Sequence, residues 1–489
     1  MRTRTIRSAL ALLLVSTANA ALAVSLNPKG TGQALIYPYY TVNNSQDTLI
    51  SVVNTSAVGK VAEVRFLEGY NGRDTLAFTL FLSKFDVWTA AVTQASDDGG
   101  AILKTSDASC TFPRILTTGA SFLSTGYDGS GTLPADSGPQ TITRTREGFI
   151  EIIAGGDIVA DSTTDVAITH VQNGNAGGGV PPGCADLSAT SFFSDIVAPT
   201  GGLFGNATIV NVGLGTFFGY NAEALQGFTD TALFSESHAD GPTLADANSS
   251  DAAPGGAIAN IFNQDGRPLS LSYAIGVDAV SAALMADSIY NEYVVDPSLG
   301  ASTDWVVTFP TKHFYVDGAY GDGPLQPFAE SFTDGVSNVL VEATIYDREE
   351  GVVTLGPCTL CPPVDITPAF AYEVNVATFE NQIVPVTAGP LGSALTSLLI
   401  PPNGTDGAAI VDLAIGDGGH SLSGGADASG SAVTLKGLPV VGFMAYNVIN
   451  AQAQPGMLAN YSGTYRHRST MSCNGPAGEC ASVITGGGQ

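Results

Sequence analysis

Two runs of alternating side chains on either side of a turn, between Lys60 and Leu82, constrain the fold more than any other feature of this chain. From Lys60 to Phe66 the apolar residues Ala62, Val64 and Phe66 fall at every second position, with Glu63 and Arg65 between them. A period of two puts the apolar set on one face of a strand and the charges on the other. Tyr70-Asn71-Gly72-Arg73-Asp74 reads as a turn, after which Leu76, Phe78, Leu80 and Leu82 repeat the period. The segment therefore predicts a hairpin in an antiparallel sheet with one wet face.

Similar runs recur along the chain. Ala34 to Val42 and Asp47 to Val53 flank an Asn43-Asn44-Ser45 turn, and Pro38, which has no N–H to give, places the first at a sheet edge or on a bulge. Further strands are expected at 86–92, 148–154, 207–212, 290–295, 304–309, 338–346, 370–378, 409–415, 432–435 and 440–446. Only Asp278 to Met285 reads as a good helix, with Tyr220 to Gln226 a weak one. Gln172 to Cys184, His238 to Ala257 and Gly416 to Gly430 read as long Gly/Asp/Pro-rich loops, the second of them mobile with almost nothing to bury. The expected fold is mainly β, with two or three antiparallel β-sandwich domains and few short helices. The expected layout is an N-terminal β-domain over 24–198, a second β-rich region over 199–355, either separate or one unit with the first, a Pro/Cys linker at 356–368, a C-terminal β-domain over 369–472 and a Cys-containing tail, 473–489.

Residues 1–23 read as a secretory signal peptide. Arg2, Arg4 and Arg7 precede the apolar run Ala9 to Val15, and small residues at Ala18/Ala20 and Ala21/Ala23 offer two cleavage sites. The apolar run is far shorter than the ~20 residues of a bilayer span. An extracytoplasmic protein follows from this reading, with cell surface, medium and periplasm all open. The chain has 45 acidic residues against 18 Lys and Arg, for a formal net charge of −27, and processing removes three of the positive charges. Such a surface repels nucleic acid and anionic lipid, which both need clustered cations. No later segment is apolar for long enough to serve as an integral membrane span, and the strands lack the even series of a membrane barrel.

Export makes the even set of six cysteines, Cys110, Cys184, Cys358, Cys361, Cys473 and Cys480, readable as disulfides. Sequence neighbours give the favoured pairing: Cys473 with Cys480, Cys358 with Cys361, and Cys110 with Cys184. Prolines bracket the CxxC at Cys358 and Cys361, which argues against a redox helix there. The five histidines are dispersed and support no transition-metal site. Ca²⁺ is the cation that acidic turns would suit, at Asp97, Asp98, Asp317 and Asp322, although solvated turn acids are the simpler reading. No other cofactor is expected.

No catalytic motif stands out. Gly213 to Gly219 lacks the βαβ context of a dinucleotide turn, and Ser421 lacks the second glycine of a nucleophile elbow. Glu63, Glu68, Asp86, Glu151 and Glu342 lie on or beside strands, where a carboxylate normally marks the wet face. Trp88, Trp305, Tyr37, Tyr39 and Tyr40 are read as core or sheet-face packing, with an aromatic sugar platform as the rival reading.

At Pro38-Tyr39-Tyr40-Thr41, across Lys60 to Ala90, at Thr303 to Asp317 and at Tyr465-Arg466-His467-Arg468, the chain resembles a family of uncharacterised exported cell-surface proteins of Gram-negative bacteria. The resemblance implies an envelope or extracellular location and brings no activity. The expectation is a non-enzymatic exported protein with a structural, adhesive or assembly role, whose partners are itself, a cell surface or a glycan. A secreted carbohydrate-binding or carbohydrate-active protein is the alternative.

Overall fold

The computed structural model describes residues 22–171, 179–185, 187, 193–235, 241–262, 268–321, 323–355, 368–379, 389–402, 404–415, 419–450, 454 and 457–475. Most of the expected signal peptide, the CxxC, Asp322, His238, Cys480 and nearly all of the 356–368 linker fall outside these residues. Strands dominate, almost all antiparallel, and three α-helices occur among the described residues.

An eight-stranded sheet forms the middle layer. Its path runs Ser25–Leu26, Glu223–Gln226, Ala34–Thr41, Glu147–Ile158, Gly59–Glu68, Asp74–Leu82 and Cys110–Phe112, with Ile196–Val197 on the side of Glu147–Ile158. The expected hairpin is part of it: Val64 lies opposite Phe78 and Phe66 opposite Leu76. On the other side Val64 faces Ile152, which in turn faces Leu35. One face of this sheet is thus a continuous apolar surface. It packs on a six-stranded sheet ordered Thr216–Asn221, Leu203–Asn211, Asp47–Asn54, Val87–Gln94, Ala101–Lys104 and Ala120–Ser121. Ile50, Val52, Trp88 and Leu103 meet Val64, Phe66, Phe78 and Leu80 in this core, with the Trp88 and Phe78 rings 5.7 Å apart.

The opposite face, expected to be wet, is covered as well. Every residue of Gly59–Glu68 is buried. At one end Val61 and Phe81 lie under Ile168, Leu187 and Ile196. Ile168 closes a short helix, Thr163–Ile168, whose Ser162 side chain caps the Asp165 N–H. Cys110 and Cys184 are disulfide-bonded and hold this cover to the sheet. The rest of the face lies under the second half of the chain.

That half contains a second sandwich. One sheet is ordered Val352–Leu355, Glu342–Asp347, Asp406–Asp412, Ser288–Val294 and Arg468–Thr470; the other Thr396–Ile400, Val374–Phe379, Ala301–Thr308, Val441–Val448 and Tyr461–Arg466. Ile289, Tyr293, Ile345 and Val411 from the first meet Trp305, Val307, Phe379 and Met444 from the second. A further five-stranded sheet begins with Ala257–Phe262 and Pro268–Tyr273 and packs against the helix Gly276–Leu284, which agrees with the expected helix at 278–285. Pairing crosses the sequence boundary near residue 198, because Leu203–Asn211 joins Asp47–Asn54. It also crosses the linker, because Ala301–Thr308 joins both Val374–Phe379 and Val441–Val448.

Of the two places allowed for Pro38 the bulge is the one found, and three other local expectations are corrected. Ala34–Thr41 is an interior strand; its ladder slips between Tyr40–Gly148 and Tyr37–Ile150, so Pro38 sits in a bulge where no N–H is needed. Tyr220–Gln226 is extended, because Tyr220 stacks on Phe443 at 4.6 Å and Leu225 enters the core, and these contacts override weak helical propensity. The loop 416–430 contains the strand Ser421–Ala426, bulged where Gly425 makes room for the Tyr273 ring. In 238–257, Thr243 and Asp246 form a capping box and Leu244 and Ala247 are buried, so its described part packs against the body.

The Cys110–Cys184 bond closes a 74-residue separation, for which chain entropy gives about 4 kcal/mol. The variant C110A/C184A is expected to lose stability of that order in urea denaturation, and an unchanged midpoint would show that the cover is held by packing alone.

Candidate functional site

The charges placed on the expected wet face form a buried ionic layer between the middle sheet and the second half. Glu68 closes the turn that follows its strand by accepting the N–H groups of Tyr70, Asn71 and Arg73 at 2.7, 3.0 and 3.0 Å. The same carboxylate takes Arg144 Nε at 2.7 Å and Nη2 at 2.8 Å. Arg144 also binds Asp136 through Nη1 and Nη2, at 2.8 and 2.6 Å, and its guanidinium lies 4.3 Å from the Tyr127 ring centroid. Burial opposes the Arg144 charge, yet Glu68 and Asp136 raise its pKa further, and Asp136 is lowered in return despite its own burial.

Arg73 carries the layer into the second half. Its Nε and Nη2 grip Asp317 at 2.5 and 2.9 Å, and Nη1 reaches Gly126 O at 3.0 Å. Asn71 Nδ2 bridges Asp317 and Asp136, at 2.7 and 3.2 Å. Asp317 follows the short helix His313–Val316. His313 Nδ1 meets Glu373 Oε1 at 2.7 Å, and both residues are buried. Burial lowers the His313 pKa, but Glu373 overrides it and leaves the imidazole above its ordinary range; burial raises Glu373. Gly72, at φ +62°, leaves room for this pair, since a Cβ there would lie 2.5 Å from His313 Nδ1. Beside it Lys312 Nζ donates to the carbonyls of Ser337 and Tyr372 at 2.6 and 3.0 Å, and burial pushes its pKa down to about 7.

Cross-strand pairs extend the layer. Arg65 binds Asp74 and reaches Gly241 O at 3.3 Å, and it stands opposite Glu151 in the ladder. Burial pushes Glu151 up to about 8, and His313 and Arg65 oppose the shift. Glu151 Oε1 and Glu373 Oε2 are sealed from solvent without a hydrogen-bond partner. Glu147 accepts Asn43, Tyr39, Ser393 and the Ala394 N–H, joining residues 246 apart. Asp304 takes Thr378 and the Leu391 N–H, and burial pushes it up to about 7.

This arrangement locks segments together and offers little chemistry. A cleft of about 330 Å³ lined by Tyr70, Arg144, Arg146 and Glu147 reaches its margin, but Arg144 and Glu147 are both occupied there by the partners named above. Glu63, Glu68 and Glu151 are buried, contrary to the wet-face expectation. Glu342 is half-buried on its strand, and Asp86 accepts the Ser83 and Val87 N–H groups at a turn. Trp88, Trp305, Tyr37, Tyr39 and Tyr40 are all fully buried, so they form no sugar platform. Of the Ca²⁺ candidates, Asp97 and Asp98 are exposed, and Asp317 is corrected from a turn acid to the partner of Arg73. Among the described residues no group of three or more His, Cys, Asp or Glu is placed to hold a metal ion. Ser421 opens a strand, and the Gly213–Gly219 run completes a hairpin turn between Asn211 and Thr216 and then enters the strand Thr216–Asn221. Cys473 is buried and disulfide-bonded.

A second feature was not visible in the sequence. The edge strands Thr216–Asn221 and Tyr461–Arg466 belong to different sheets and lie side by side without a ladder. Ser462 Oγ accepts the Phe217 N–H at 2.9 Å and donates to the Phe217 carbonyl at 2.6 Å, Thr464 donates to Gly219 O, and Asn460 Nδ2 reaches Leu214 O at 2.7 Å. Along this seam Val212 is 80% exposed, Phe217 58% and Tyr461 64%, with Leu458 and Tyr465 also exposed. Tyr465 stacks on Tyr446 with centroids 6.1 Å apart and planes 14° apart. Gly463, opposite Tyr446, leaves room for that ring.

No helix among the described residues is long and apolar enough to cross a membrane. Comparison with protein-family models, with curated proteins and with solved structures finds no match.

Two outcomes follow for the ionic layer. Glu151 has a folded pKa above its unfolded value, so its contribution to stability is complete below about pH 4.3 and is lost as pH rises through about 8. E151Q, which mimics the protonated form, is expected to raise Tm at pH 8 and leave it nearly unchanged at pH 4; equal shifts at both pH values would refute the buried-proton assignment. Arg73→Ala strands Asp317 in the interior and is expected to cost roughly 3–5 kcal/mol in chemical denaturation. R73A/D317A is expected to cost clearly less than the sum of its two single variants, and strict additivity would mean that the pair does not act as a unit.

Proposed function

We propose that this chain is an exported, non-enzymatic protein of the cell surface or extracellular space with a structural, adhesive or assembly role. The observation that carries this reading is the exposed seam formed by Phe217 and Tyr461 on two adjoining edge strands and by Val212 and Leu458 in the segments leading into them. Contiguous exposed apolar and aromatic side chains mark interaction surfaces more often than inert ones. The ionic layer supports the same reading from inside. It turns the acids and bases of the junction toward one another and ties the two halves into one body. A chain with net charge −27 also has poor affinity for nucleic acid and anionic membranes, which leaves proteins and neutral glycans as partners.

A second reading, carbohydrate binding, is favoured by the stacked Tyr446 and Tyr465 beside exposed Tyr461. Flat aromatic faces at a sheet margin suit the apolar face of a sugar ring. The residues differ from those the sequence offered for this purpose, which are all in the core.

The test compares the exported protein with F217S/Y461S and with Tyr465→Ala by sedimentation, binding to whole cells and binding to a glycan panel. Self-association or cell binding weakened at least about tenfold in the double variant supports the first reading. Glycan binding abolished by Tyr465→Ala favours the second. A protein that stays monomeric and binds neither cells, glycans nor itself overturns both.

A further inference from the structure

The two small-residue cleavage sites after Ala20 and Ala23 differ by three residues, and the fold does not treat those residues as dispensable. Leu22 O accepts Ser249 Oγ at 2.9 Å. Ala23 is buried, and its carbonyl presses on Gly227, where a Cβ would lie 2.1 Å from the Ala23 oxygen. Gly227 holds φ +65°, so that position is shaped for the approach. Val24 is fully buried; its N–H donates to Ile258 O at 2.7 Å and its carbonyl accepts the Asn260 N–H at 2.8 Å, as a parallel bridge opposite Ala259. Ser25 and Leu26 continue directly into the middle sheet, opposite Gln226 and Leu225.

A cut after Ala23 would remove the Leu22 and Ala23 contacts and convert the Val24 amide into an α-amino group. Such a group has an ordinary pKa of about 7.7–8.0 and is mostly charged at neutral pH. It would be held by the bond to Ile258 O beside the buried Val24 side chain, where an ammonium keeps less of its hydration than in bulk water. A cut after Ala20 avoids both penalties. We infer that processing takes place at the Ala18-Asn19-Ala20 site, so that the mature chain starts at Ala21 and keeps Leu22–Val24 as a structural segment. The step is hydrolysis of the Ala20–Ala21 peptide bond, with water supplying the hydroxyl of the new Ala20 carboxyl and the proton of the new Ala21 amine. The inference rests on the export reading.

The test expresses the full chain with its own N-terminus in a Gram-negative host and determines the first residue of the exported product by N-terminal sequencing and intact mass. A product starting at Ala21 supports the inference. An exported product starting at Val24, or at any later residue, overturns it while leaving export intact. An uncleaved chain retained in the cytoplasm overturns the export reading together with it. Deleting Leu22 and Ala23 behind an intact signal segment is expected to lower the Tm of the exported product, and an unchanged Tm removes the structural argument.

Discussion

The Arg73–Asp317 pair is the interaction on which the rest of the architecture turns. It joins the tip of the Lys60–Leu82 hairpin to the short helix of the second half, and Asn71, Asp136 and Arg144 extend it back to Glu68. Backbone bonds run alongside: Val374 N–H donates to Gly69 O and Glu373 N–H to Tyr70 O. A buried ion pair of this kind adds little stability beyond what well-packed apolar residues would give, because desolvation offsets most of its attraction. Its effect is selective. Any other docking of the two halves would separate Arg73 from Asp317 and leave both charges without their main partner, and the cost of stranding them disfavours those alternatives.

This layer also explains why the middle sheet is buried on both faces while its sequence alternates as if one face were wet. Alternation reports which side chains share a face and says nothing about what covers that face. Ala62, Val64 and Phe66 made the apolar core legible, and the hairpin with Phe78 and Leu80 followed from them. Glu63, Arg65 and Glu68 were legible as a polar face but not as a buried one. Asp74 reaches Arg65 across the hairpin itself, but Arg144 and Glu151 become neighbours of this face only once Glu147–Ile158 pairs with Gly59–Glu68. Lys60 opposite Asp157 is the same case: a 2.5 Å pair between residues 97 positions apart. The Tyr220–Gln226 strand was missed for a related reason, since Phe443, which stacks on Tyr220, is distant in sequence.

Edges are the other problem that a chain made of open sheets has to solve. A sheet edge offers unpaired N–H and C=O groups to any passing strand. Here two edges from different sheets cover each other through side chains: Ser462 serves both backbone groups of Phe217, and Thr464 serves Gly219. A hydroxyl that both donates and accepts can satisfy a strand without extending its ladder. The two sandwiches are thereby joined at their margins without fusing into one continuous sheet, and the side chains flanking the joint, Phe217 and Tyr461, are left facing solvent.

The distribution of charge sets what that seam can meet. Five of the chain's 18 Lys and Arg residues, Lys60, Arg65, Arg73, Arg144 and Lys312, are buried among the described residues, where they are taken up by interior carboxylates and carbonyls. Eight acidic residues are buried among the described residues, a smaller share of the chain's 45 than those five are of its 18 cations, so burial leaves the outer surface short of cations. Two copies, or this chain and another acidic surface, therefore repel at long range, with a reach set by a Debye length of about 8 Å at physiological salt. Contact is favoured only where the surface is locally neutral and apolar. The seam of Val212, Phe217, Leu458 and Tyr461 is such a place, so the burial of the cations and the exposure of the aromatics act together: one keeps most of the surface from associating, and the other leaves a defined strip that can.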